Sequence, residues 1–284
     1  MPAATSMPPE DFWSLTAYVR SFVPAGAQDR VEQVQHTLSV KRNRGTLSGD
    51  PPSLAWDQTP STFLPVTPLF WRDDRIEGVN VRALHDGAHI AIQLTWDDAS
   101  IDERPVKPQQ FTDGVAIQLA PGNDPPFFAM GQKDAQVNIW HWKASWQHDM
   151  AGGGDSLAKT YPDRPAISQV VAEPRYPDFQ TARDAGNPVA QPKHNSSIEC
   201  LTAAGFGTLT NLGPAAQGVV GTARRTANGW EVIFVHPLEP ANPGELALEA
   251  GQTISIGFAV WDGGAGDRNG QKSVTIWHRL TIEK

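Results

Sequence analysis

The 284-residue sequence has a single cysteine, Cys200. One thiol excludes an internal disulfide, a cysteine-rich zinc site and an iron–sulfur cluster. Long apolar runs are also missing, so no segment reads as a membrane-spanning helix. The start, Met1-Pro2-Ala3-Ala4-Thr5, carries neither a charged segment nor an apolar one, and no signal peptide is read from it. Neither Gly-x-Ser-x-Gly nor His-Glu-x-x-His occurs, which removes the serine hydrolase and zincin readings. Gly205-Phe206-Gly207 lacks the Lys-Ser/Thr ending of a phosphate loop, so nucleotide binding has no support either. Positive charge is in the minority: the formal net charge of −8 argues against nucleic acid or an anionic membrane as the main partner.

What is present suits a β-rich domain. Hydrophobic residues make up 39%, enough for a sizeable core, and the 25 glycines and 24 prolines are scattered as punctuation between short strands. Residues 1–26 read as a helix. Ser6 caps it, Pro8 and Pro9 lie near its first turn, Phe12, Leu15, Val19 and Phe22 form one apolar stripe, and Pro24 and Gly26 end it. Residues 27–50 are polar, with Lys41, Arg42 and Arg44, and read as a surface linker. From 51 to 284 alternating runs recur: Ile76–Leu84, the hairpin signal His85-Asp86-Gly87, Ala88–Trp96, Gly114–Leu119, Val137–Lys143, Gln217–Thr222, Gly229–Val235, Thr253–Trp261 and Ser273–Trp277. This pattern predicts a mainly β fold, an antiparallel β-sandwich with a short N-terminal helix and a long loop insertion at about 147–215. Asp97, Asp98, Asp102 and Glu103 cluster after Trp96. They suit acid–base work or calcium, and read first as an acidic turn at a strand end.

The stretch with the most chemistry is Pro125-Pro126-Phe127-Phe128-Ala129-Met130-Gly131, followed by Val137-Asn138-Ile139-Trp140-His141-Trp142-Lys143. By itself Met130 reads as a plug at the end of the core. A thioether is also a ligand for haem iron, where it favours the reduced state. A second ligand has to come from the other side of such a group. Lys143 lies at the far end of the following strand, roughly 20 Å away at about 3.3 Å per residue, whereas Lys193 and His194 stand in the insertion that can return over the site. A lysine ligand has to be neutral, which burial promotes. His141, between Trp140 and Trp142, is a minor candidate. No Cys-x-x-Cys-His run exists, so covalent haem attachment of the usual kind is excluded.

These residues carry a resemblance. Phe127–Gly131, Val137–Ala144, Ala204-Gly205-Phe206-Gly207-Thr208-Leu209-Thr210 and Gly229-Trp230 to Phe234, within roughly residues 48–281, resemble the haem b (gamma) subunits of type II dimethyl sulfoxide reductase-family enzymes, the ethylbenzene dehydrogenase gamma-like proteins. Met7 to Phe22 resembles the last helix of a class I cytochrome c domain. The resemblance implies a sandwich related to family 9 carbohydrate-binding modules. It implies one non-covalent haem b near Phe128, Trp140 and Phe206, with Met130 and Lys193 as metal ligands and Lys143 or His194 as alternatives for the lysine. It further implies a periplasmic complex with a molybdenum catalytic subunit and an iron–sulfur subunit. Electrons would then pass to or from a soluble cytochrome or similar partner. The competing expectation is a carbohydrate-binding sandwich without haem, which requires exposed, coplanar tryptophans.

Overall fold

The computed structural model describes residues 18, 34–47, 56–70, 72, 74–105, 107–126, 130–153, 194–213, 216–242 and 244–284. The expected N-terminal helix (Tyr18 apart, which is helical), Phe127 to Ala129, Lys193 and most of the 147–215 insertion lie outside these residues. The chain divides into units 1–34 and 35–284, and the fold described here is that of the second.

Among the described residues fourteen strands follow in order: β1 Thr37–Arg42, β2 Thr62–Pro65, β3 Thr67–Pro68, β4 Gly78–His85, β5 His89–Asp97, β6 Gly114–Ala120, β7 Val137–Lys143, β8 Ile198–Ala203, β9 Thr210–Asn211, β10 Val220–Arg225, β11 Gly229–Pro237, β12 Thr253–Trp261, β13 Ser273–Val274 and β14 His278–Ile282. A short helix, α1 (Ala144–His148), continues directly from β7. One sheet runs β10-β11-β5-β4-β1 and the other β1-β14-β12-β6-β7-β8-β9. The pairings are antiparallel except for those of β1, which is parallel to β14 through Thr37–Val40 and to β4 through Lys41 and Arg42. The fold is thus the expected β-sandwich with a mixed seam, since β1 changes sheets halfway along. Within the stretch 27–50 expected as a linker, Thr37–Arg42 is instead a strand. Leu38 and Val40 are buried while Thr37 and Ser39 are exposed, the alternation of a half-buried strand.

The core lies between the sheets. Ile90, Ile92, Leu94 and Trp96 of β5 and Val232 and Phe234 of β11 face Val115, Ile117 and Leu119 of β6, Trp140 and Trp142 of β7 and Ile254, Ile256, Phe258 and Val260 of β12. Trp142 meets Trp230 at 4.9 Å and Trp96 at 6.1 Å, both edge to face, so three indoles join the sheets. The β4–β5 hairpin falls where the sequence places it. Gly87 takes φ +92, and Asp86 accepts hydrogen bonds from the N–H groups of Ala88, His89 and Leu47. Burial opposes ionisation of Asp86, but these three donors outweigh it and draw its pKa down to about 2.

Candidate functional site

A sheet face turned to water is ordinarily polar. The outer face of the sheet containing β6, β7, β8 and β12 is not. Ala116, Ala120, Val137, Ile139, Leu201 and Ala203 form a second apolar cluster there, with Met130, Ala259, Trp261 and Trp277 packed against it. Strand pairing arranges this face in rows. Gly114 is flanked by Lys143 and Trp261, Ala116 by His141 and Ala259, Gln118 by Ile139 and Gly257, and Ala120 by Ser255. The middle of the face is therefore built from small side chains, a flat apolar floor with taller indoles at its margin.

Met130 sits at one end of this floor. Its φ of +74 is in the left-handed region, which costs an ordinary residue about 1–2 kcal/mol. Two contacts over-determine the position. Met130 donates its N–H to Gln118 Oε1 at 2.9 Å, and its carbonyl accepts the N–H of Gly205 at 2.7 Å. Gly131 follows at φ +73, where a Cβ would stand 2.5 Å from the Ala203 carbonyl oxygen, so only glycine allows the loop to lie this close to β8. Just ahead of the loop, Trp277 donates its indole N–H to the Pro126 carbonyl at 2.9 Å. These contacts hold Met130 in place, and its side chain packs against the floor. Strain held in this way is a feature of functional sites.

Nitrogen bases gather at the other end. His141 stacks on Trp261 at 4.7 Å, and Lys272 places its ammonium 4.8 Å from the same ring. Desolvation, aided by the charges of Lys143 and Lys272, holds His141 well below its ordinary pKa, and burial alone lowers that of Lys272. Lys143 bonds the Glu199 carboxylate and lies 4.0 Å from the Trp146 ring, whose other contact is a stack with His194 at 4.1 Å. His194 Nδ1 is 3.2 Å from Asp149 Oδ2.

Of the residues singled out from sequence, Met130 lies on the floor, and Phe206 is exposed in the turn whose Gly205 holds Met130. Trp140 is a correction. It is fully buried in the core on the opposite face of β7, stacked on His236 at 4.7 Å and donating to Asn138 Oδ1, so the sheet separates it from Met130. Its neighbours Ile139 and His141 face the floor instead. Lys143 lies four residues along β7 from Ile139, the partner of Gln118, or roughly 13 Å from that row. Its amine is engaged by the Glu199 carboxylate rather than turned to the floor. His194 is anchored by Trp146 and Asp149. Lys193 and Phe128 lie outside the described residues. The alanine floor, Gln118, Trp261 and Lys272 were not anticipated. The available signal was the apolar run of β6, where Ala116 and Ala120 occupy positions that alternation assigns to solvent.

The model of the family described as ethylbenzene dehydrogenase matches residues 54–273. This chain belongs to that family. Among its relatives, the chlorate reductase gamma subunit of Ideonella dechloratans is 26% identical over 90% of this chain and 89% of its own. A protein of Haloferax mediterranei (strain ATCC 33500) described as a respiratory nitrate reductase heme subunit is 23% identical over 81% of this chain and 67% of its own. Among solved structures, the family 9 carbohydrate-binding module of Caldicellulosiruptor kristjanssonii in complex with glucose matches 87% of this chain and 95% of its own, with 9% identity and a TM-score of 0.43.

Proposed function

We propose that the outer face floored by Ala116, Ala120, Ala203 and Ala259 holds one haem b without a covalent bond. On this reading the chain carries electrons between the iron–sulfur subunit of a molybdenum oxidoreductase and an external partner such as a soluble cytochrome, in the periplasm. The observation that carries the reading is a strained methionine laid on a flat, buried, apolar sheet face with nitrogen bases at its far end. Family membership and the heme-subunit description of the Haloferax relative support it.

The residues present fit such a group. Small side chains leave room for a planar macrocycle, and the flanking indoles of Trp261 and Trp277 offer it apolar edges. Met130 supplies the thioether. Lys193 is the lysine expected opposite it. Among the described residues Lys272 meets the chemical requirement better than Lys143, because burial lowers its pKa and no described carboxylate bonds its amine. The bound iron would supply a one-electron couple whose potential the thioether raises. Cys200 has no part in this: it is buried in the core, and burial, reinforced by Glu245, pushes its thiol up to about 12. The carbohydrate reading requires a platform of exposed tryptophans, and among the described residues no tryptophan is exposed.

The test is the visible spectrum of the purified chain, as isolated and after haem reconstitution, with extraction into acid acetone. One extractable haem per chain and a low-spin reduced spectrum are expected. Lys272→Ala and Lys193→Ala then identify the second ligand by which of them converts the spectrum to high spin. A chain that stays colourless after reconstitution, or that binds glycans instead, overturns the reading.

A further inference from the structure

At another place in the sandwich, three strand ends converge. Asp98 follows β5 in one sheet, whereas Asp113 precedes β6 and Asp262 follows β12 in the other. Each carboxylate offers an oxygen, and the three oxygens lie within 4.8 Å of one another. Asp98 is 6% exposed and Asp113 fully buried.

Hydrogen bonds leave this cluster incomplete. Asp113 Oδ2 accepts from the Asp102 N–H and the Trp230 indole, and its Oδ1 accepts only the Gly263 N–H. Asp98 Oδ1 accepts the Ser100 N–H, but Asp98 Oδ2 is sealed from solvent and accepts nothing. An ionised oxygen buried in this way costs several kcal/mol unless a positive charge faces it. The charge of Arg225 offsets part of the desolvation of Asp98, but neither it nor Arg72 donates a hydrogen bond to these three carboxylates. Arg72 bonds Asp267 at 2.8 and 3.1 Å and comes no closer than 3.7 Å to Asp262. Arg225 lies over the Trp230 ring and donates to the main-chain carbonyl of Asp98 rather than to its carboxylate.

We propose that Asp98, Asp113 and Asp262 bind a divalent cation, calcium by preference, which fastens the two sheets together at this end. The donors are all carboxylate oxygens, with no imidazole or thiolate, which selects a hard cation over zinc or copper. They come from three separate connections rather than one rigid loop, which suits the variable coordination of calcium better than the strict geometry of magnesium. Desolvation raises the pKa of Asp98 and, with the charge of Asp98 added, raises that of Asp113 to about 7. This is the penalty that a bound cation would remove. The unpartnered Asp98 oxygen is the vacancy in hydrogen bonding that distinguishes this group from an ordinary acidic turn.

The test is calorimetric titration of calcium into the full chain after treatment with EGTA, paired with thermal unfolding with and without calcium. One ion per chain is expected. The Tm should rise by about 5–10 °C when calcium exceeds its Kd about a hundredfold. Asp98→Asn should weaken binding at least tenfold and abolish the rise in Tm. Asp262→Asn, at the more exposed member, should do the same, and serves if the first variant does not fold. Absence of calcium heat in the wild-type chain, a Tm indifferent to calcium, or unchanged binding in Asp262→Asn would overturn the proposal.

Discussion

His278 makes the sandwich sensitive to acid. The side chain is 1% exposed on β14, and its Nδ1 accepts the His36 N–H at 3.1 Å. A ring that accepts through Nδ1 is neutral, and a proton added there would set two donors against each other. Burial first, then the charge of His36, lowers its pKa to about 4 from an ordinary 6.5. The folded state therefore binds fewer protons than the unfolded state between these values, and stability falls as pH falls through that window. Between about pH 7 and about pH 4.5, this one group removes about 2.5 kcal/mol. His278→Asn isolates the effect, because the Asn amide oxygen can accept the same N–H without titrating. The assay is urea unfolding at both pH values. The variant should start less stable because it packs less well, yet lose about 2.5 kcal/mol less than wild type on acidification. Parallel losses in the two proteins would refute the assignment.

Other consequences are equally specific. Gly131→Ala combines a left-handed backbone with a Cβ 2.5 Å from a carbonyl oxygen, and should cost at least about 2 kcal/mol in urea unfolding. Gly122→Ala, at φ +69 with nothing within 4 Å, should cost only about 1 kcal/mol and serves as its control. Gln118→Leu leaves the Met130 N–H unpaired, a loss of about 1–3 kcal/mol that falls on the loop carrying the thioether. It should raise the high-spin fraction of the reconstituted haem protein while the far-ultraviolet circular dichroism stays unchanged. Cys200, with its pKa at about 12 and no exposure, should resist a thiol reagent in the native chain and react only after denaturant is added.

The sequence disclosed the sandwich through local signals and hid what depends on long-range pairing. Asp86-Gly87 between two alternating runs is a complete hairpin instruction, and β4 and β5 obey it. By contrast, β1 has only Leu38 and Val40 as inward anchors and ends in Lys41 and Arg42, so it reads as a polar connection. Its partners are β4 and β14, the latter near the far end of the chain. The face of β7 was unreadable for another reason. Ile139, Trp140 and Trp142 are all apolar because both sides of the strand are covered, so alternation could not show that Trp140 points into the core and Ile139 onto the floor. Met130 was visible only through its family resemblance, since a methionine among prolines and phenylalanines is otherwise a core plug. The alanines that make room beside it give no sequence signal, because their contribution is the volume they leave empty. Asp98 stood in a visible acidic run, but its partners Asp113 and Asp262 arrive from other strands, and only the fold assembles them.

The central claim is that the Met130 thioether binds haem iron on the outer sheet face. The most direct measurement is the near-infrared spectrum of the oxidised, haem-loaded chain, where a thioether–iron bond gives a charge-transfer band. The wild-type protein should show this band, and Met130→Ala should lose it while retaining the wild-type circular dichroism. A wild-type chain without the band, or a Met130→Ala chain that keeps it, would contradict the account.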